Sequence, residues 1–140
     1  MKGVQMTGLD TGFFVELLRG NPRTMSLWEN LVEENDEEAV VSCLTLFELE
    51  RLGLKQGIEG AETLLEAIPA VCKVLWIQSP DILLKAAALS HGLGIPAVDS
   101  LILAGFLAQE VLTIYTTDKH FEAYKKKGIK IINLRPPAMP

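Results

Sequence analysis

Short apolar stretches alternate with amphipathic segments along nearly the whole chain. The apolar stretches have the length and composition of buried strands, which predicts strands at residues 4–9, 39–42, 73–77, 112–115 and 129–134. The segments between them place apolar residues at helical spacing and predict helices at 13–19, 25–34, 44–55, 61–68, 79–91, 94–110 and 118–128. Strands that alternate with helices form a parallel sheet with helices on both faces. We therefore expect an α/β fold, a three-layer α/β/α sandwich around a central parallel sheet of about five strands.

No internal repeat, low-complexity linker or change of composition divides the 140 residues, so we expect residues 1–140 to form a single domain. Apolar residues make up 49% of the chain, which is enough to build a core. The chain starts without the apolar leader of a secreted protein. Its most apolar window, 97–108, is interrupted by Asp99 and is too short to span a bilayer. These features predict a soluble cytoplasmic protein with no membrane contact.

The formal net charge of −5 argues against a general nucleic-acid coat protein, but the charge is unevenly distributed. An acidic run at 29–38 is most simply a solvated helix end and loop. A basic segment at 119–135 could meet phosphate groups. Its lysines at 125–127 also suit the C-terminus of the last predicted helix, before Gly128, and this structural interpretation is the simpler one.

The cysteines and histidines lack the spacing of a metal site. Cys43 and Cys72 lie far apart in apolar surroundings, which is typical of reduced core thiols. His91 and His120 are isolated in the sequence, and His91 lies near a predicted helix end, where a partly cationic ring suits the helix dipole. We expect structural roles for all four residues.

Two carboxylates follow the first two predicted strands. Asp10 comes directly after the first strand, where it can cap the next helix, but ligands of parallel sheets also gather at the carboxyl ends of strands. Glu48 shares a helix face with Leu44 and Leu52, so it is a carboxylate in apolar surroundings. The alternative for Glu48 is an ion pair with Arg51.

Two further carboxylates occur in the second half of the chain. Asp99 lies in an apolar helix whose face continues through Ile102 and Phe106, and an ionised carboxylate there is costly unless a cation or several donors meet it. It would be an ordinary cap only if the helix started late. Asp118 follows the strand at 112–115 and, taken alone, would be a helix cap.

Carboxylates that converge at one sheet edge suit a hard cation such as Mg²⁺ or Mn²⁺. The natural chemistry of such a site is hydrolysis of a phosphate ester. Two other α/β classes fit less well. A haloacid-dehalogenase-type phosphatase needs a second Asp where this chain has Gly12, and a response-regulator receiver needs a phosphoacceptor Asp near 77–79, where the chain reads Ile-Gln-Ser.

Four segments, in order, resemble the PIN-domain ribonucleases and are most similar to VapC-type toxins of prokaryotic toxin–antitoxin pairs. They read LDTGFFVELLRG, SCLTLFELERLG, GIPAVDSLILA and YTTDKHF, and together they span nearly the whole chain. The resemblance implies a PIN-like fold and a metal-dependent endoribonuclease selective for single strands. Its catalytic and metal-binding carboxylates would be Asp10, Glu48, Asp99 and Asp118, with Mg²⁺ or Mn²⁺ as the cofactor.

The resemblance also implies supporting residues and products. Thr116 and Thr11 would support the carboxylates, and direct hydrolysis would leave a 3′-hydroxyl and a 5′-phosphate. Arg19, Arg23 and Lys119 could guide the RNA backbone, although surface solubility explains each of them equally well.

The same resemblance shows one position where this chain departs from the family, and it also implies a protein partner. Relatives often carry Asn after LDT, where this chain has Gly12, and the loss of that polar group leaves open a catalytically weak or inactive RNA-binding scaffold. A cognate antitoxin could dock on the apolar helices at 44–68, which could also support a homodimer.

Overall fold

The computed structural model describes residues 5–33 and 36–135, and within them helices alternate with strands as the sequence predicts. The strands are β1 Gln5–Leu9, β2 Glu37–Ser42, β3 Lys73–Leu75, β4 Thr113–Thr116 and β5 Lys130–Asn133. The α-helices are α1 Thr11–Leu18, α2 Pro22–Glu33, α3 Cys43–Leu54, α4 Ala61–Val71, α5 Pro80–Leu93 and α6 Ala97–Ala108, and a short 3₁₀ helix covers Lys119–Ala123. All pairings are parallel in the order β3-β2-β1-β4-β5, so the predicted fold is confirmed.

The sheet buries apolar side chains on both faces. In β2, Ala39 and Val41 join the core beneath α1 to α4, whereas Val40 joins the core beneath α5, α6 and the 3₁₀ helix. This alternation is the two-residue period of a strand. A strand buried on both faces reads as a continuous apolar run, which is why the short apolar stretches predict the sheet.

The register aligns the carboxyl ends of the central strands. Leu9, the last residue of β1, pairs with Val41 of β2 and with Tyr115 of β4. Asp10 therefore lies in the same row as Ser42 and Thr116, each the last residue of its strand. We call this end of the sheet the carboxyl edge.

Two glycines allow close approaches that shape this edge. A Cβ on Gly8 would lie 3.1 Å from the ring of Phe106, so the glycine lets α6 pack directly on β1. A Cβ on Gly12 would lie 1.8 Å from Oγ1 and 2.9 Å from Cβ of Thr117. The Thr117 side chain thus occupies the space in which a side chain at position 12 would begin.

The last predicted helix is wrong beyond its first turn. Asp118 caps a 3₁₀ helix that ends at Ala123, and residues 124–126 have no regular structure. Phe121 is fully buried there, but the exposed lysines at 125–127 offer no apolar surface to hold further turns against the core. These lysines therefore do not complement a helix C-terminus.

The other elements differ from prediction mainly at their ends. α2 starts at Pro22, because proline is tolerated in the first turn of a helix, and α4 continues through Pro69 to Val71. β3 is only three residues long. The predicted ends of the first strand at residue 4 and of the second helix at residue 34 lie outside the described residues, as does the N-terminal segment at 1–3.

The two cysteines are free and half-buried. Burial raises the pKa of the Cys72 thiol to about 12, so it remains a neutral packing group at physiological pH. Its expected role as a reduced thiol is thus consistent with its surroundings.

The α-helices are 8 to 14 residues long. Within residues 5–33 and 36–135, none combines the length and apolar character needed to cross a membrane. The most apolar of them, α6, has twelve residues.

The contact of Gly12 with Thr117 predicts an unusual sign for a helix substitution. Gly→Ala in a helix ordinarily stabilises by about 0.5–1 kcal/mol. Here Gly12→Ala should lower the free energy of unfolding by about 1–3 kcal/mol, because overpacking forces the backbone of α1 away from Thr117. Denaturant unfolding measures the change.

A matched series isolates the cause of this loss. The Thr117→Gly change in the Gly12→Ala background should recover stability relative to Gly12→Ala, with Thr117→Gly alone as the reference, whereas Thr117→Ala should recover less because its Cβ remains. A stabilised Gly12→Ala protein would contradict this packing.

Candidate metal centre

Asp10 is held rigidly at the carboxyl edge. Its side chain is 4% exposed, and its Oδ1 accepts a hydrogen bond from the backbone N of Phe13 at 3.1 Å. Its Oδ2 accepts from Oγ1 of Thr116 at 2.5 Å, and its backbone N donates to the Tyr115 carbonyl at 3.1 Å. Asp10 is therefore the cap of α1 and also a buried carboxylate of a converging site.

Glu48 points from α3 toward α1. Its Oε1 accepts a hydrogen bond from Oγ1 of Thr11 at 2.6 Å, and Oγ1 of Thr45 lies 3.1 Å from the same Thr11 hydroxyl. No ion pair joins Glu48 to Arg51 in the described part of the chain. Sequence reasoning missed Thr45, although it stands one turn before Glu48 on the same helix face.

Asp99 and Asp118 meet across α6 and the end of β4. α6 begins at Ala97 after Pro96, so the half-buried Asp99 lies in its first turn and is not its cap. A carboxylate oxygen of Asp99 and one of Asp118 lie within 4.8 Å of each other. Two carboxylates this close disfavour each other's charged form.

Asp118 is fixed by Thr116 and His120. Its backbone N donates to Oγ1 of Thr116 at 2.9 Å, and its Oδ1 accepts from the backbone N of His120 at 2.9 Å. The Nδ1 of His120 lies 2.7 Å from the same Oδ1. The expectation that His120 is isolated is therefore wrong; the signal was its position two residues after Asp118, within one turn of a capped helix.

Burial and mutual repulsion disturb the titration of this group. Burial raises the pKa of Asp10 to about 7 against its hydrogen bonds from Thr116 and Phe13, and the charges of Asp118 and Glu48 add to the rise. Burial and the hydrogen bond with Asp118 raise the pKa of Asp99 to about 7. Burial also acts on Asp118, but its hydrogen bonds with Asp99 and His120 outweigh it and hold its pKa below the usual value. The four carboxylates thus form one interacting set.

The donor set fits a divalent cation. One ligand atom each from Asp99, Asp118 and His120 lies within 4.8 Å of the others, close enough to share an ion. If the Nδ1–H of His120 donates to Asp118, its Nε2 keeps a lone pair for a metal. Carboxylate oxygens bind Mg²⁺ and Mn²⁺, and an imidazole nitrogen favours Mn²⁺ over Mg²⁺.

The predicted cationic residues divide into two groups. Arg19 pairs with the buried Glu16 at 3.3 Å and, with Arg135, lines a cavity of about 470 Å³ that also includes Gly12 and Thr117. This cavity therefore adjoins the carboxyl edge. The remaining two predicted cations, Arg23 and Lys119, are exposed.

Solved structures of toxin–antitoxin proteins share this fold. VapBC2 from Rickettsia felis, bound to a DNA fragment from its promoter, aligns with a TM-score of 0.71 at 16% identity, covering 92% of this chain and 98% of its own. VapC20 from Mycobacterium tuberculosis, a toxin that cleaves the sarcin–ricin loop, aligns with a TM-score of 0.65 at 21% identity, covering 84% and 93%. A toxin–antitoxin complex from Klebsiella pneumoniae aligns with a TM-score of 0.61 at 18% identity, covering 81% and 87%.

The likeness to these structures concerns the fold, since their sequences are less than a quarter identical to this one. No curated protein sequence matches the chain significantly. The sequence model of the PIN domain matches residues 9–127, a span that contains all four carboxylates and His120. The chain is therefore a member of the PIN-domain family.

Proposed function

We propose that the protein is a metal-dependent endoribonuclease that hydrolyses RNA phosphodiester bonds. The observation that carries this proposal is the set of four carboxylates at the carboxyl edge, of which Asp10 and Asp99 have pKa values raised to about 7. Perturbed acids gathered at one site are typical of functional centres. Membership of the PIN-domain family, a family of nucleases, favours hydrolysis of phosphodiester bonds as the reaction.

In this proposal the chain's own groups hold the cation and the phosphate. Asp10 and Asp99, with Glu48 and Asp118, supply carboxylate oxygens to Mg²⁺ or Mn²⁺, and His120 adds a nitrogen. A bound cation of this kind activates water and stabilises charge on the phosphate oxygens. In-line attack of water on phosphorus would leave a 3′-hydroxyl and a 5′-phosphate.

Supporting residues keep the carboxylates oriented. The hydroxyl of Thr116 donates a hydrogen bond to Asp10, and the hydroxyl of Thr11 donates one to Glu48. Arg19 and Arg135 line the cavity beside Gly12, and in this proposal they would contact the RNA backbone next to the cleaved bond. Arg23 and Lys119 would act as weaker backbone contacts from the exposed surface.

The solved toxin–antitoxin structures that share this fold support the proposal of a protein partner as well. We propose that the chain is the toxin of such a pair, that it forms a homodimer, and that α3 and α4 provide the partner surface. Much of the apolar surface of these helices is buried within the chain, including Leu49 and Ile68, but Phe47 is 62% and Leu54 75% exposed. Exposed apolar side chains on one helix are typical of a protein contact.

The alternative is an inactive RNA-binding scaffold, which the departure at Gly12 leaves open. Thr117 fills the space beside Gly12, so the edge is packed rather than empty there. All four carboxylates are present, and they favour the enzyme over the scaffold.

Purified protein should cleave single-stranded RNA with Mg²⁺ or Mn²⁺ and lose this activity in EDTA. Asp99→Asn removes one carboxylate without changing its size, and we expect a loss of about 100-fold or more in rate, in line with the loss of a charged group that acts in the transition state. Gel analysis of the products and their ends measures this. Absence of cleavage and of metal binding by calorimetry for varied RNAs would favour the scaffold.

The raised pKa values of Asp10 and Asp99 predict how stability depends on pH without metal. Their ordinary value is 3.8, so protonation stabilises the folded state; this contribution is complete below pH 3.8 and is lost as the pH rises through about 7. Asp10→Asn and Asp99→Asn should therefore raise Tm in EDTA at pH 8, and each kcal/mol added to the free energy of unfolding raises Tm by about 2–4 °C. The gain in Tm should shrink toward pH 5. Calorimetric Tm measurements test this, and variants less stable than the native protein at pH 8 would contradict it.

The partner surface can be tested by replacing one exposed apolar side chain. Phe47→Asp should reduce the mass measured by light scattering from dimer to monomer, or abolish capture of a co-expressed antitoxin, because a charge would be buried in the contact. Leu84→Asp, on the exposed face of α5, is the matched control. A monomeric native protein that also purifies without any partner would count against the proposal.

A further inference from the structure

Trp76 is an exposed aromatic residue at the carboxyl edge. It follows Leu75, the last residue of β3, and 60% of its surface is exposed. All aromatic residues of the chain lie in its described part, and among them only Trp76 and Phe47 are exposed. Its position matters more than its exposure, because ligands of parallel sheets bind at the carboxyl ends of the strands.

The strand register fixes how far Trp76 lies from the carboxylates. Leu9 pairs with Val41, and Ser42 pairs with Leu75, so Asp10, Ser42 and Leu75 form one row across three strands. Adjacent strands are about 4.8 Å apart, which places the backbone of Trp76 about 10 Å from that of Asp10. A nucleotide flanking a phosphate that would be bound by the proposed cation at Asp10 can reach this distance.

Trp76 also lines a cavity that has both apolar and polar walls. The cavity has a volume of about 300 Å³ and lies between β3 and α6, with Leu101 among its apolar walls and Gln78, Ser42 and Gln109 among its polar ones. Leu101 stands two residues after Asp99, so the same helix borders the cavity and the carboxylate cluster. An apolar wall with amide and hydroxyl groups is suited to a flat heterocycle with hydrogen-bonding edges.

We propose that Trp76 is a base-stacking residue: an unpaired RNA base flanking the cleaved phosphate stacks on its indole at the mouth of the cavity between β3 and α6. This inference rests on the proposed ribonuclease function and names a residue that selects single-stranded substrate. Stacking requires an unpaired base, and Lys73, which also lines the cavity, adds a positive charge beside it. A protein contact is less favoured, because Trp76 lies in a loop beside Gln78 and Ser79, whereas Phe47 shares an exposed helix with Leu54.

Tryptophan fluorescence tests the contact without any cleavage. The protein in EDTA is titrated with a short single-stranded oligoribonucleotide of mixed sequence, and stacking should quench the emission of Trp76. The second tryptophan, Trp28, is half-buried beside Phe14 with ring centroids 5.6 Å apart, so it reports on the core. Trp76→Phe should abolish the quenching but retain most of the affinity, because phenylalanine can still stack.

Affinity measured with a labelled oligoribonucleotide separates stacking from charge. Trp76→Ala should weaken binding by about 5- to 150-fold, the range that one base–aromatic stack provides. Leu84→Ala, which removes a 69%-exposed apolar side chain from α5, should leave the affinity unchanged. Inorganic tripolyphosphate, which has no base, should not quench Trp76.

The outcomes distinguish this inference from the proposed function. If the native protein cleaves RNA but Trp76→Ala binds and cleaves as well as it does, the stacking role is wrong and the ribonuclease stands. If the protein never cleaves RNA while Trp76 is still quenched by RNA in EDTA, the stacking role stands and the ribonuclease fails. Quenching that persists in Trp76→Phe, or a Trp76→Ala protein that loses only its dimer or antitoxin contact, would overturn the stacking role.

Discussion

Electrostatic repulsion at the carboxyl edge is the constraint on which the rest of this structure depends. The parallel order of the strands brings Asp10 and Asp118 to adjacent strand ends, and α3 and α6 add Glu48 and Asp99 to the same place. Each carboxylate is costly beside the others without a cation. Within the described residues, the basic side chain that contacts this cluster is the ring of His120, at Asp118, so four carboxylates face a single imidazole.

The scaffold holds these groups in place despite the cost. Backbone and hydroxyl donors fix Asp10, Glu48 and Asp118, while Gly8 lets the ring of Phe106 bring α6 and its Asp99 down onto β1. Because the carboxylates repel one another, the free energy of unfolding of the metal-free protein is lower than its packing alone would give. Ordered carboxylates that repel one another in this way are consistent with a metal site.

Much of this arrangement could be predicted from sequence, for identifiable reasons. The sheet follows from short apolar runs that are buried on both faces, and the positions of Asp10 and Asp118 follow from strand ends in a parallel sheet. Helical spacing alone leaves Glu48 and Asp99 each with an ordinary alternative, and the resemblance to a known family strengthened the prediction that they join Asp10 and Asp118. The roles of the four carboxylates remain predictions.

Other features depended on tertiary contacts that no local pattern reports. The position of His120, two residues after Asp118, gained its meaning only from the structure, in which Asp118 caps the 3₁₀ helix and contacts the His120 ring. The contact of Thr117 with Gly12 also had no local signal, because Thr117 comes from the other end of the sequence. The helix predicted to reach Gly128 ends earlier because the lysines at 125–127 offer no apolar surface to pack against the core.

Anomalous diffraction from crystals soaked in Mn²⁺ tests the central claim most directly, since it locates the cation independently of any substrate. The account predicts a strong Mn²⁺ peak among the carboxylates of Asp10, Asp99 and Asp118, within coordination distance of at least two of them and absent in Asp99→Asn crystals. A well-ordered carboxyl edge without Mn²⁺ at saturating concentration, or a peak elsewhere on the surface only, would contradict it.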